Sequence, residues 1–202
     1  MRRSLVLLLA AGALVAGCSG TKNGTASSES PFTTGAGSPS TTSALNGSSG
    51  SAPKVSSPLR TSSIESDACS ALSAAKRSEL GLGEGERGTT SVGQGCTLFA
   101  ADDKLNQIDI SPVLANKNGL SDVYDTKANN DYFEPTEVGG YPAVYAASLD
   151  ARDKGKCGLF VGVTDQLAVN ILVQYDNGPG ASAPCPVALK VGEAMIETLK
   201  EG

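Results

Sequence analysis

The chain has 202 residues, a formal charge of −5, no histidine, no tryptophan and five cysteines. Without histidine there is no Ser-His-Asp or Cys-His catalysis, no imidazole metal ligand and no histidine pH switch. An excess of Asp and Glu over Lys and Arg, 21 against 16, argues against nucleic acid, whose binders need a basic footprint to displace counterions.

Arg2 and Arg3 form a short basic region, and Leu5 to Ala16 is an apolar run of 12 residues. A bilayer core of about 30 Å takes about 20 residues to span, so the run reads as the apolar part of a secretory signal. It closes in Val15-Ala16-Gly17-Cys18, which resembles a bacterial lipobox. That resemblance implies a diacylglycerol on the Cys18 thiol, cleavage before Cys18 and acylation of the new amine. An ordinary signal peptide with a chance cysteine is the plainer alternative. Arg2-Arg3 also suits twin-arginine export, but the short basic region and Leu-rich core favour the Sec route. Two or three acyl chains anchor stably where one holds only marginally. The expectation is therefore a mature chain from Cys18 to Gly202, exported and lipid-anchored at the outer face of the cytoplasmic membrane.

From Ser19 to Arg60, 34 of 42 residues are Ser, Thr, Gly, Pro, Ala or Asn. Phe32, Leu45, Val55 and Leu59 are the only sizeable apolar side chains there, too few to offset the entropy of ordering. The composition predicts a coiled tether with a reach of about 35 Å. Three regions follow: a signal at 1–17, a lipidated Cys with its tether at 18–60, and one domain at 61–202. The domain holds 11 Lys and Arg against 20 Asp and Glu, a net −9. Such acidity repels anionic lipid and attracts cations or basic partners, although an ordinary solvated surface explains it more simply.

Within the domain, Asp67 can cap a helix starting near Ala68, with Leu72, Ala75 and Leu80 inward and Gly81 or Gly83 ending it. Cys96 to Ala100 and Asn106 to Val113 read as strands, joined by an Asp102-Asp103-Lys104 turn. Leu120 to Asn129 is a weaker helix. Glu137 to Ala147 reads as one strand, with Gly139-Gly140 and Pro142 marking a bulge or an edge. Lys156 to Val163 and Leu167 to Tyr175 alternate clearly, and their short link makes them antiparallel. A last helix runs from Pro184 to Leu199, burying Ala188, Val191, Met195 and Leu199. The order α-β-β-α-β-β-β-α predicts an α+β domain with an antiparallel sheet of about five strands.

Cys69, Cys96, Cys157 and Cys185 would face an oxidising compartment, so they read as two disulfides. Three connectivities are open. Cys69–Cys96 and Cys157–Cys185 are favoured, since each joins a predicted helix to a nearby strand. A Cys₄ zinc site lacks the usual C-x₂₋₄-C knuckles, and C-x-x-C redox chemistry is absent too.

Other chemistry is sparse, and neither a metal nor a cofactor is expected. Asp102 and Asp103 read as turn residues, and Asp109 points away from Ile108 and Ile110. Asn129, Asn130, Asp131 and Glu134 lack calcium-loop spacing. Gly81-Leu82-Gly83-Glu84-Gly85 follows a helix instead of opening one, so it is no phosphate cradle. Ser73-Ala74-Ala75-Lys76 reads as mid-helix and solvent-facing. Tyr124, Tyr132, Phe133, Tyr141 and Tyr145 are the aromatics available to line a groove, with core packing as the simpler role.

Several segments together resemble an actinobacterial family of exported lipoproteins known as domain of unknown function 3558. They are Asp67-Ala68-Cys69-Ser70-Ala71-Leu72, Leu80-Gly81-Leu82-Gly83, Gly95-Cys96-Thr97-Leu98, Val138-Gly139-Gly140-Tyr141-Pro142-Ala143-Val144, Cys157 and Pro184-Cys185. The likeness spans roughly residues 62–200. Ala68 stands where the family usually has proline, and Leu98 where it has an aromatic. The resemblance implies an envelope lipoprotein and assigns no activity. The functional expectation is a tethered module that binds a protein, a peptide or a small molecule. The alternative is an envelope hydrolase using carboxylate or Ser/Lys chemistry.

Overall fold

The computed structural model describes residues 51–202; Cys18 and most of the expected tether lie outside them. Seven strands form one antiparallel sheet: β1 (Glu86–Thr90), β2 (Gly93–Phe99), β3 (Gln107–Pro112), β4 (Tyr132–Val138), β5 (Tyr141–Ala147), β6 (Lys156–Gly162) and β7 (Ala168–Gln174). Their order across the sheet is β1-β2-β3-β7-β6-β5-β4. The chain thus leaves β3, builds the far half of the sheet and returns through β7 to pair with β3. The α+β antiparallel expectation holds, with seven strands instead of about five.

Both additional strands are edges. β1 is the polar stretch Glu86-Arg-Gly-Thr-Thr, and β4 carries Glu134, Pro135 and Glu137. An edge strand is paired on one side only and tolerates charge and proline, so it shows little apolar alternation. Gly139-Gly140 is a hairpin turn between β4 and β5, not a bulge within one strand. Both glycines have positive φ, +57° and +89°, the geometry of a two-residue turn that closes Val138 onto Tyr141.

The helices are more broken than the sequence suggests. α1 (Ser62–Ser66) precedes a 3₁₀ turn (Ala68–Ala71) that Asp67 caps by accepting from Cys69 N. The chain then breaks at Leu72, and Ser73 caps a separate α2 (Ala74–Glu79). Leu72 is buried, whereas Ala75, expected inward, is exposed. α3 (Leu120–Asp125) is followed by a 3₁₀ turn (Lys127–Asn129), and a short α4 (Gly178–Ser182) precedes α5 (Pro184–Glu201).

One face of the sheet is covered by α5 and the N-terminal turns. Leu159 and Val161 of β6 and Val169, Ile171 and Val173 of β7 meet Ala188, Val191, Met195 and Leu199 of α5 in one core. This is the helical stripe the 3.6-residue period predicts. Two disulfides clamp the layer, Cys69–Cys96 to β2 and Cys157–Cys185 between β6 and α5. Each joins a helical segment to a strand.

The expected tether ends earlier than residue 60. Ala52 and Val55 are buried and Leu59 is half-buried against the core. Val55 N donates to Asp165 Oδ1 at 3.0 Å, Leu59 N to Val163 O at 3.0 Å, and Tyr141 Oη to Ser57 O at 2.9 Å. Average composition hides this strap, because a few spaced apolar side chains suffice once a sheet offers them partners. Pro53 and Pro58 further lower the entropy lost on docking. Val55→Asp is expected to lower unfolding free energy by about 1.5–3 kcal/mol, the worth of one buried valine. Denaturant melts measure this, and proteolysis should newly cut within 51–60; wild-type stability and resistance would mean the strap contributes nothing.

Candidate functional site

Strand alternation sends every second side chain of β6 and β7 to the face away from α5. That face is only partly covered, by α3, whose Leu120 and Val123 pack with Ala52, Val144, Ala146 and Ala168. Beside them lies a cavity of about 460 Å³. Its floor is Phe160 opposite Asn170 and Gly158 opposite Leu172. Val123 of α3 and Thr126 just after it form one wall, and Val92 at the β1–β2 turn stands at another side. Gly158 keeps the floor low, and a Cβ there would stand 2.6 Å from Ala146 O.

Two polar features mark this face. Asn170 is only 4% exposed, and its one side-chain hydrogen bond among the described residues runs from Nδ2 to Leu159 O at 3.5 Å. Asp109, also buried, accepts from Thr97 Oγ1 at 2.6 Å and from Gln174 Nε2 at 3.2 Å. Both carboxylate oxygens are thus engaged, and Asp109 does not line the cavity. It is a satisfied sheet residue, not a poised base.

The other expected candidates serve as structure. Asp102 is exposed. Asp103 accepts from Leu105 N and Asn177 Nδ2, the turn role anticipated for it. Asp131 is exposed and accepts from Asp150 N, so no carboxylate cluster joins Asp102, Asp109 and Asp131. Asn130 bonds back to Thr126, and Glu134 pairs with Arg152 at 2.8 Å. Among the described residues no group of three or more Cys, Asp or Glu could hold a metal. The Gly81–Gly85 run seats a disulfide: a side chain at Gly85 would collide with Cys96 Sγ.

Ser73 and Lys76 differ from expectation, since Ser73 opens α2 and is not mid-helix. Lys76 is ion-paired with Glu197 and Glu79, and its pKa is raised, chiefly by the Glu197 contact and then by Glu79. Ser73 Oγ accepts from Lys76 N at 3.3 Å, the role of a helix cap.

None of the five aromatics singled out from the sequence lines the cavity. Tyr124 and Phe133 meet edge-to-face at 4.9 Å, Tyr132 Oη accepts from Gly158 N at 3.0 Å, and Tyr141 ties down the strap. Tyr145 packs on the α5-side core. Phe160 is the aromatic on the floor. Its signal was present in the sequence, as the residue between Leu159 and Val161 that must face the other way.

Several carboxylates have pKa values lowered by fixed partners: Asp67 by Arg87, Asp165 by Val55 N–H and then Lys54, and Glu197 by Lys76. A folded-state value below the unfolded one contributes stability above the ordinary carboxylate range of about 4, lost as pH falls through the lowered values. The melting temperature is expected to stay level between about pH 5 and 8, where histidine would otherwise titrate, and to fall below about pH 4. A melting series across pH checks this; a transition near pH 6.5 would contradict it.

Among the described residues no helix is long and apolar enough to cross a membrane. The family described as Protein of unknown function (DUF3558) matches residues 13–198. No curated protein and no solved structure matches the chain.

Proposed function

Because this chain belongs to the DUF3558 family of proteins of unknown function, we propose that it is an actinobacterial cell-envelope lipoprotein whose domain is a binding module, not an enzyme. Support for the address comes from Val15-Ala16-Gly17-Cys18, which falls within the matched residues 13–198. In this reading the lipid is carried on Cys18, and the domain stands outside the cytoplasmic membrane. Support for binding comes from the cavity on the α3 face, in the range of about 300–1,000 Å³ usual for small-ligand sites.

The observation that carries the binding reading is Asn170, an almost fully buried amide with most of its hydrogen-bonding capacity unspent at an apolar floor. No enclosed side-chain nitrogen or oxygen among the described residues lacks a partner, so the free part of this amide is accessible and can exchange solvent for a ligand polar group. The alternative, a hydrolase using carboxylate or Ser/Lys chemistry, finds less support: Asp102, Asp109 and Asp131 form no cluster, and Lys76 is engaged by Glu79 and Glu197.

Two measurements test the proposal together. Cys18→Ala should move the protein from membranes to the soluble fraction; retention would contradict lipid anchoring. Native mass spectrometry of the chain extracted from membranes should show a noncovalent adduct that Leu172→Glu abolishes. An adduct indifferent to Leu172 would remove the cavity from the proposal.

A further inference from the structure

Resting on the cavity as the ligand site, we infer that its ligand is an uncharged amphiphile, with an alkyl or acyl chain on Phe160 and Leu172 and a hydroxyl, ester or amide group at Asn170. The charge pattern of the lining comes first. Asp122 is its one ionisable side chain, and it is already spent: Oδ2 accepts from Lys117 N at 2.7 Å and Asn118 N at 2.9 Å, and Oδ1 from Asn118 Nδ2 at 2.8 Å. The lining therefore offers no cation to a carboxylate or phosphate group, and burying one unpaired is costly; to an ammonium group it offers only the Asp122 carboxylate, whose two oxygens already accept those three hydrogen bonds. The net −9 of residues 61–202 adds repulsion against anionic ligands.

Asn170 supplies the polar contact. Among the described residues no enclosed side-chain nitrogen or oxygen lacks a partner, so Asn170 Oδ1, which accepts from none of them, is not enclosed, and Asn170 lines the cavity. Its amide carries an acceptor oxygen beside two N–H donors, which suit an uncharged hydroxyl, ester or amide. Thr126 and Asn130 on the adjoining wall add neutral polar groups.

The floor favours an alkyl chain over a peptide. It is a sheet face, not a sheet edge: β6 is paired along its length with β7 and over Leu159 to Val161 with β5, and Gly158 N donates to Tyr132 Oη. An extended peptide would bring an N–H and a C=O per residue onto Phe160, Leu172 and Val113 with no ladder to join. An alkyl chain brings no polar group and gains from each buried methylene.

Calorimetric titration of the full-length Cys18→Ala chain with 1-decanoylglycerol, decanoate and glycerol tests the inference. Expected is one site for 1-decanoylglycerol, at least about tenfold tighter than for decanoate, and no binding of glycerol. Leu172→Glu, and independently Val92→Glu at the cavity's side, should each weaken 1-decanoylglycerol by about tenfold or more. Asn170→Leu should weaken it about three- to tenfold, the worth of one neutral hydrogen bond. Decanoate binding as tightly as 1-decanoylglycerol would overturn the uncharged class and leave the site standing. So would failure of both decanoyl probes while the membrane-extracted adduct remains Leu172-sensitive, or an adduct that proves to be a polypeptide. Binding of 1-decanoylglycerol unaffected by either glutamate variant would overturn both the ligand class and the site.

Discussion

Replacing Cys157 and Cys185 together by alanine is expected to lower the unfolding free energy by about 3–4 kcal/mol. The two residues are 28 apart in sequence, and in the chain-entropy model a loop of that length loses about 3.5 kcal/mol of constraint on opening. The position adds to the effect, because Cys157 is buried on β6 and its partner lies in the first turn of α5. Without the bond, α5 is held by side-chain packing and by polar contacts near its C-terminal end, such as the Lys76–Glu197 ion pair and the hydrogen bond from Ser73 N to Thr198 Oγ1. Urea denaturation of the oxidised wild type and the double variant measures the difference. A loss below about 1 kcal/mol would show that the packed helix needs no clamp. The same experiment on Cys69 and Cys96, 27 apart, should give a similar loss, because the two loops are nearly equal.

Ile171→Ala is expected to cost about 2–5 kcal/mol, the range for truncating a fully buried branched side chain in a close-packed core. Ile171 is 0% exposed and sits on β7, flanked by β3 and β6, in the core shared with α5. The sheet there cannot collapse readily into the space left, since its strands are held by backbone ladders on both sides. Leu172→Ala, the next residue, points to the other face and is partly exposed. It should cost under about 1 kcal/mol, within the range of substitutions outside a packed core. The contrast between neighbours tests the division of the sheet into a core face and a ligand face. Equal losses would deny that division.

The central strands were legible because burial on the α5 side imposes alternation on β2, β3, β6 and β7. The disulfides were legible because each helix-to-strand pairing closes a short loop. Edge strands β1 and β4 were not, since half-paired strands in solvent need no apolar pattern, and nothing in Glu86, Arg87, Glu134 or Pro135 marks a strand. The strap at 51–60 was hidden for the opposite reason: Val55 and Leu59 matter through partners distant in sequence, which composition cannot supply. The cavity was half visible. Phe160, Asn170 and Leu172 could be placed on the face opposite Leu159 and Ile171 by counting alone. That α3 covers only part of that face depends on where the β3–β4 connection lies, and no local pattern encodes it.

The central claim is that the α3 face of the sheet receives a ligand. Photo-crosslinking in the native cell tests it most directly, with a benzoylphenylalanine at Leu172 and, as control, at exposed Lys190 on α5 across the sheet. The account predicts discrete adducts from position 172 and none, or only diffuse labelling, from position 190. Equal labelling at the two positions, or discrete adducts from 190 alone, would contradict it.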